Sequence, residues 1–343
     1  MPQIKNKSIL VTGGAGFIGS HTVVELAGAG YQPIVLDDFS NSERSVIENL
    51  SKISGREIIF YEGKFQDPRL LEKVFKTHKI AGVIHFAAFK AVGESVEQPL
   101  KYYENNVAGL IEFLENLEKS SITNLVFSSS CTVYGEPDRL PITEDSPIKP
   151  ANSPYGATKQ ICETIIEDAV KASSRLKTLS LRYFNPIGAH SSGLIGELPK
   201  GVPANLVPFI TQTAAGIRPK LVVFGDDYPT PDGTCVRDYI HVVDLAKAHI
   251  KALQLLERSA ANYYDVCNVG TGHGSSVMEV IKTFEDVSGQ KLNYEIGPRR
   301  TGDTISVYAA VDKAEQLLAW RSEKSLKDGL ADAWRWQQHI AKT

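Results

Sequence analysis

The sequence predicts an α/β chain, a doubly wound parallel Rossmann sheet with a smaller α/β substrate-binding C-terminal lobe. Three observations carry this. Short apolar strand patterns alternate with helical ones through the first half, a glycine-rich turn joins the first strand to the first helix, and the texture becomes loop-rich from about Pro186.

The strand-like runs are Ser8–Thr12, Pro33–Asp37, Ile58–Tyr61, Gly82–Phe86, Leu125–Ser129 and Thr178–Tyr183, rich in Ile, Val, Leu and Phe. Between them lie helical patterns at Ser20–Gly28, Glu43–Ser54, Pro68–His78, Leu100–Ser120 and Pro154–Ala172. Strand and helix in alternation demand crossovers, and near-continuous apolar strands fit a sheet covered on both faces. After the Gly/Pro-rich passage from Pro186 to Pro203 come helical patterns at Leu206–Gly216, Asp244–Arg258, Ser276–Ser288 and an amphipathic tail, Leu326–Ile340. Strand-like pieces there are Leu221–Phe224, Asp265–Val269 and Lys291–Ile296. The reading is a dinucleotide-binding domain at 1–185 and a second domain at 186–343, with an approximate boundary and room for interleaving. A cleft between them is where open sheets bind ligands.

Composition narrows the classes. The 343 residues exceed what one core usually organises, and a net charge of −3 with 22% charged residues supplies no broad positive field for nucleic acid or anionic membrane. Met1–Lys7 is short and polar, with no signal peptide legible, and no stretch reaches the length of a membrane span, so a cytoplasmic protein is expected. Cys131, Cys162, Cys235 and Cys267 lie far apart without a CxxC pair, and the eight histidines do not cluster at ligand spacing. Reduced thiols and no metal site are expected.

Strand Ser8–Thr12 runs into Gly13-Gly14-Ala15-Gly16-Phe17-Ile18-Gly19 and then a helix. Glycine is needed where the turn takes positive φ and where a Cβ would hold the backbone away from a pyrophosphate, and the helix N-terminus offers free N–H groups. The next strand ends at Asp37-Asp38, where a carboxylate can accept from ribose hydroxyls and would repel a 2′-phosphate. NAD is the expected cofactor.

Tyr155 and Lys159 are four apart in a helix with a plausible cap at Ser153 and proline in its first turn, so they share a face. A free phenol has a pKa near ~10, and a fixed ammonium with a positive nicotinamide would favour the phenolate. Ser128-Ser129-Ser130 follows a strand at the carboxyl edge, where ligands sit. Together these point to a proton shuttle beside a hydride carrier.

Longer strings make the likeness specific. They are His85-Phe86-Ala87-Ala88-Phe89-Lys90-Ala91-Val92-Gly93-Glu94-Ser95, Ser128–Gly135, Ser153–Lys159, Arg182–His190, Phe224–Thr230, Val236–Val242 and Trp334-Arg335-Trp336. On these the chain resembles the UDP-glucose 4-epimerase family, extended relatives of the short-chain dehydrogenases/reductases, over nearly its whole length. The resemblance implies that Tyr155 takes the sugar 4-hydroxyl proton while NAD takes the C4 hydride, that Ser130 bonds the same oxygen, and that Lys159 holds the nicotinamide ribose and tunes Tyr155. It implies a cofactor site from Gly13, Gly16, Phe17, Ile18, Gly19, Asp37, Asp38, Asn41, Ser42, Phe65, Phe86, Ala87, Lys90, Asn105, Ser128, Tyr155, Lys159 and Tyr183. It implies a UDP-sugar site from Lys90, Ser130, Tyr155, Phe184, Asn185, Asn205, Leu206, Val222, Phe224, Arg237, Arg300, Asp303 and Val307, the second domain then being the nucleotide-sugar-binding one. A homodimer through Leu100–Ser120 and Pro154–Ala172 is implied as well.

One departure and two discriminating positions refine the match. Lys64 stands where relatives place an acid that touches adenine, and a lysine cannot accept from the adenine amino group; Phe65 remains able to pack on the ring. Cys131-Thr132 stand where dehydratases carry Asp-Glu, which argues against dehydration. Val307 stands where epimerases confined to unmodified hexoses carry tyrosine, so UDP-N-acetylhexosamines are expected to enter. The alternatives are a UDP-sugar dehydratase or oxidoreductase and a catalytically silent NAD-binding regulator, the latter disfavoured by Tyr155, Lys159 and Ser130 together.

Overall fold

The structure, a computed structural model, describes residues 7–300 and 303–342, so all but Lys7 of the short polar stretch Met1–Lys7, where no signal peptide is legible, lies outside it. Seven parallel strands form the central sheet: β1 (Ser8–Thr12), β2 (Gln32–Asp37), β3 (Ile59–Glu62), β4 (Ile80–His85), β5 (Asn124–Ser128), β6 (Lys177–Tyr183) and β7 (Tyr264–Val269). Their order is β7-β6-β5-β4-β1-β2-β3, so the switch in winding falls beside β1, where a ligand crevice opens at the strand ends.

Alternation along the strands explains the two cores. Ile9 and Val11 of β1 join Val35 under one helical layer, while Leu10 joins Ile34, Leu36 and Val83 under the other. All are fully buried, as a sheet covered on both faces requires. The first layer holds α1 (Phe17–Gly28) and α3 (Val242–Arg258), whose Val23, Leu26, Leu245 and Leu253 share one cluster. The second receives α2 (Pro154–Ala172), through Cys162, Ile166 and Val170.

The boundary at 185/186 is crossed by the sheet itself. β7 and α3 come from beyond residue 186, and β7 pairs with β6 from Thr178↔Tyr264 to Tyr183↔Val269. The second unit is thus built from what remains. Ile187, Val207, Ile210, Val223, Phe284 and Leu330 form its core, under the capped tail helix α4 (Leu326–Ile340). Its strands are short: Leu221–Phe224 pairs with Tyr294–Gly297, Asn185–Ile187 with Tyr239–His241, and Val236–Arg237 with both Ser275–Ser276 and Ser306–Val307.

The expected helix at Leu100–Ser120 is three segments. An α-turn at Pro99–Tyr102 passes into a π-helix at Tyr103–Ala108 and back to α at Gly109–Lys119. The widened turn carries Asn106, whose side chain accepts from the Phe89 N–H and donates to the Phe89 carbonyl and to Thr158 Oγ1. Such π-turns commonly mark functional positions, and this one holds a loop at the cleft.

Candidate functional site

The glycine turn closes on its own backbone. Gly13 has φ +69°, and a Cβ there would lie 2.8 Å from the Ala87 nitrogen; one at Gly19 would lie 2.2 Å from the Gly13 oxygen. Helix α1 starts at Phe17 with no side-chain cap and no acid in its first turn. The N–H groups of that turn therefore lack an intrahelical acceptor and form an anion site. Asp37 braces the turn: Oδ2 accepts from Ala15 N–H, and Oδ1 from Phe39 N–H and Ser42 Oγ–H, each at 2.9 Å. Burial pushes its carboxyl up, against the pull of those three donors. Its remaining lone pair is what a ribose hydroxyl would meet.

In front of the turn lies a cleft of about 920 Å³, open mouth included. Its walls include Gly13, Gly16, Phe17, Ile18, Gly19, Asp37, Asp38, Asn41, Ser42, Phe65, Phe86, Ala87, Lys90, Asn105, Tyr155, Lys159 and Tyr183. Every expected cofactor residue except Ser128 is in that wall. Ser128 stands behind it, sharing a 2.8 Å hydrogen bond with Tyr183 Oη and accepting from Lys159 Nζ through its carbonyl at 2.6 Å. Leu36, Ser40, Gly63, Ala88 and Phe89 also line the cleft. The sequence reading missed them, although each adjoins a residue it named or ends a parallel strand. Gly63 and Phe65 reach the wall and Lys64 does not. The Phe65 ring lies edge-on to His85 at 4.9 Å, within the core. A dinucleotide fits this cradle by the reach of its wall from the glycine turn to Tyr155, by the absence of Cβ atoms at its turn and by the bare helix end.

At the inner end, Ser153 caps α2 by accepting from Gly156 N–H, and Pro154 fills its first turn. Tyr155 is 7% exposed, and the Ser130 hydroxyl stands close enough to influence its phenol. Burial, reinforced by Tyr183, pushes its phenol well above the usual range, and the neighbouring Ser130 hydroxyl only partly offsets this. Lys159 Nζ lies 6.0 Å from the Tyr155 ring centroid, and burial pulls its pKa to about 8. The protein alone therefore keeps Tyr155 as a neutral phenol; the expected lowering is not a property of the Tyr–Lys pair by itself, because desolvation outweighs one ammonium at that distance. Thr132 Oγ1 donates to Ser130 Oγ at 3.0 Å, and burial pushes the Cys131 thiol to about 12. Neither residue is an acid.

Of the expected sugar-nucleotide residues, Tyr155 and Ser130 stand at this end, and Lys90 lines the same cleft. The rest lie outside the wall of the cleft. Arg237 and Arg300 share Asp303 Oδ1, at 3.4 and 3.0 Å, and the Arg300 guanidinium sits 5.8 Å over the half-exposed Phe224 ring. Phe224 ends the strand that also carries Val222, while Val307 and Cys131 both pack against the buried cluster that includes Phe184. Asn205 Nδ2 donates to Glu197 Oε1 at 2.6 Å, and Lys90 Nζ meets the same oxygen at 3.2 Å. Leu206 opens the helix after Asn205, and Asn185 donates its N–H to the Asp238 carbonyl. Glu197, which joins Lys90 to Asn205, had no signal in the sequence: it lies in the aperiodic passage after Pro186.

Residues 10–333 match the family model described as GDP-mannose 4,6 dehydratase. A UDP-glucose 4-epimerase of Neisseria meningitidis serogroup B is 50% identical over 96% of this chain and 97% of its own. The chain belongs to the UDP-glucose 4-epimerase family.

Solved epimerases agree with the fold. The enzyme of Stenotrophomonas maltophila, with bound NAD and formylated UDP-arabinopyranose, superposes with a TM-score of 0.95 at 43% identity, covering 98% of this chain and 99% of that one. The Bifidobacterium longum epimerase in complex with NAD+ and UDP gives 0.93 at 46% identity, with the same coverage. The NAD-dependent epimerase reading and the Rossmann fold expected from the sequence are both upheld.

Proposed function

We propose that the chain interconverts UDP-glucose and UDP-galactose by 4-epimerisation, through a 4-keto sugar held in the site, and that it extends this to UDP-GlcNAc and UDP-GalNAc. The observation that carries it is one cleft wall holding a bare helix N-terminus at one end and Tyr155 with Lys159 at the other. NAD, when bound, supplies the acceptor and donor of hydride at the sugar C4. Tyr155 holds the proton of the 4-hydroxyl and returns it, with Ser130 hydrogen-bonded to the same oxygen. Lys159 stands beside the phenol as a cation and steadies the nicotinamide ribose. Because the hydride taken from C4 is returned to it together with the proton, no net oxidation results.

The UDP moiety falls to Arg237 and Arg300, whose forks reach two phosphate oxygens, to Asp303, Asn185, Asn205 and Lys90, and to Phe224, Val222 and Leu206 for the uridine. Val307, smaller than the tyrosine of hexose-confined relatives, packs against the cluster that holds Phe184, and this smaller side chain is our reason for admitting an N-acetyl group; Tyr308 lies against Gly274. A dehydratase would need an acid where Cys131 and Thr132 stand.

Among the described residues no helix is long and apolar enough to cross a membrane. Four free cysteines suit a reducing compartment, and a cytoplasmic homodimer is our reading. Leu100, 80% exposed, with Ile111 and Ile161 gives the two dimer helices an apolar face.

The test is incubation with UDP-galactose and with UDP-N-acetylgalactosamine, no NAD added, products separated by epimer. Turnover of the first supports retained cofactor and epimerisation; a lasting keto product or accumulating reduced cofactor would count for the oxidoreductase alternative.

A further inference from the structure

Three consecutive serines at the end of β5 face three residues one helical turn apart on α2. Tyr155, Lys159 and Glu163 are spaced by four and share a face. Ser130 stands beside Tyr155 and draws its phenol down, the Ser128 carbonyl accepts from Lys159 Nζ, and Ser129 Oγ donates to Glu163 Oε1. Because an extended chain alternates, Ser129 turns its side chain away from the cleft that Ser128 and Ser130 serve. Ser130 is extended, with φ −158° and ψ 150°.

The third contact is anchored more heavily than the other two. Glu163 takes a two-pronged bond from Arg182 of β6, Nε to Oε1 at 3.0 Å and Nη2 to Oε2 at 2.7 Å. Arg182 Nη1 donates to Tyr134 Oη, which donates in turn to Asn268 Oδ1 of β7 at 2.7 Å. Ser129, Glu163, Arg182 and Asn268 are all buried. A buried ion pair adds little net stability over an apolar packing, but a two-pronged one fixes orientation. This one ties α2 to β5, β6 and β7, next to the atoms that serve Tyr155 and Lys159.

We propose that Ser129 and Glu163 are positioning residues for the epimerisation: their bond sets the 128–130 backbone so that the Ser128 carbonyl holds Lys159 and Ser130 meets Tyr155. Neither touches the cleft, since neither lines it. Losing the Ser129 hydroxyl leaves Glu163 with both Arg182 prongs, so the fold survives, but the strand end loses its pin. Displacements of about an ångström at reacting groups cost large factors in rate.

This inference rests on the proposed epimerisation, and its test carries a reading that does not. Ser129→Ala and Ser129→Cys, which keeps shape with a weak donor, are compared with the wild-type holoprotein. Expected for Ser129→Ala are a kcat on UDP-galactose about tenfold lower, a KM within about twofold, unchanged NAD content and unchanged thermal midpoint, with Ser129→Cys between. The Tyr155 phenol, followed by near-ultraviolet difference titration with Tyr155→Phe as blank, should titrate at higher pH in Ser129→Ala. Wild-type titration in both variants overturns the proposal. So does a rate loss that merely accompanies lost NAD and a lowered thermal midpoint. Should the wild type fail to epimerise, the proposed activity fails, and the phenol titration still decides the positioning role.

Discussion

Lys159 donates an ammonium N–H to the Ser128 carbonyl at 2.6 Å, in a site where burial pulls its own pKa to about 8. A lysine held this way is fixed by the strand end and not by a carboxylate partner, so its charge is available to neighbours and sensitive to pH.

Tyr155→Phe removes the only proton holder proposed at the 4-oxygen. General acid–base groups contribute about 10²- to 10⁴-fold, so kcat should fall within that range while KM and NAD content stay near wild type. Steady-state kinetics with UDP-galactose and the absorbance of the purified protein check both.

The lysine gives a signed pH effect. Folded Lys159 releases its proton near pH 8, whereas the unfolded side chain keeps it to about 10.4. Between these values the unfolded chain binds more protons, so the wild type gains stability relative to Lys159→Met as pH rises, and below pH 8 it carries the full cost of a buried ammonium. Thermal midpoints of the two cofactor-free proteins at pH 7 and at pH 9.5 should show that change in their difference.

Gly19→Ala should abolish cofactor retention. Its Cβ would fall 2.2 Å from the Gly13 oxygen, a backbone atom that cannot move without opening the turn. Native mass spectrometry would show a folded chain free of NAD, or an insoluble product.

Arg300→Ala removes one of two guanidiniums on Asp303 and the cation over Phe224. We expect UDP to bind about tenfold more weakly, or ~1.4 kcal/mol, with NAD content unchanged. Calorimetric titration with UDP reads this directly.

Val307→Tyr puts a bulky ring beside Phe184 and Cys131. Turnover of UDP-N-acetylgalactosamine should fall at least tenfold relative to UDP-galactose; equal losses on the two sugars, or failure of both acetylated sugars in the wild type beside good UDP-galactose turnover, would sink the reading of an enlarged pocket.

The sheet was legible because its strands are apolar runs between helical patterns, and the boundaries err by only one or two residues where strands end in polar positions such as Glu62. The break at Tyr103–Ala108 was not: a π-turn adds one residue to a helix whose composition is unchanged, and its cause, Asn106 on Phe89 and Thr158, is a long-range bond. Nor were the two- and three-residue strands of the second unit, which are too short to show a period.

By itself the sequence determined the parallel sheet, the cofactor turn and the Tyr155–Lys159 spacing, since each depends on neighbours within a few positions: alternation, absent Cβ atoms, one helical turn. Tertiary structure alone decided the rest. β7 returns from beyond residue 186 to complete the sheet, Glu197 joins Lys90 to Asn205, and Glu163 meets Ser129 and Arg182. It also set the resting state of Tyr155, because a phenol's protonation follows burial, and burial is a property of everything packed around it.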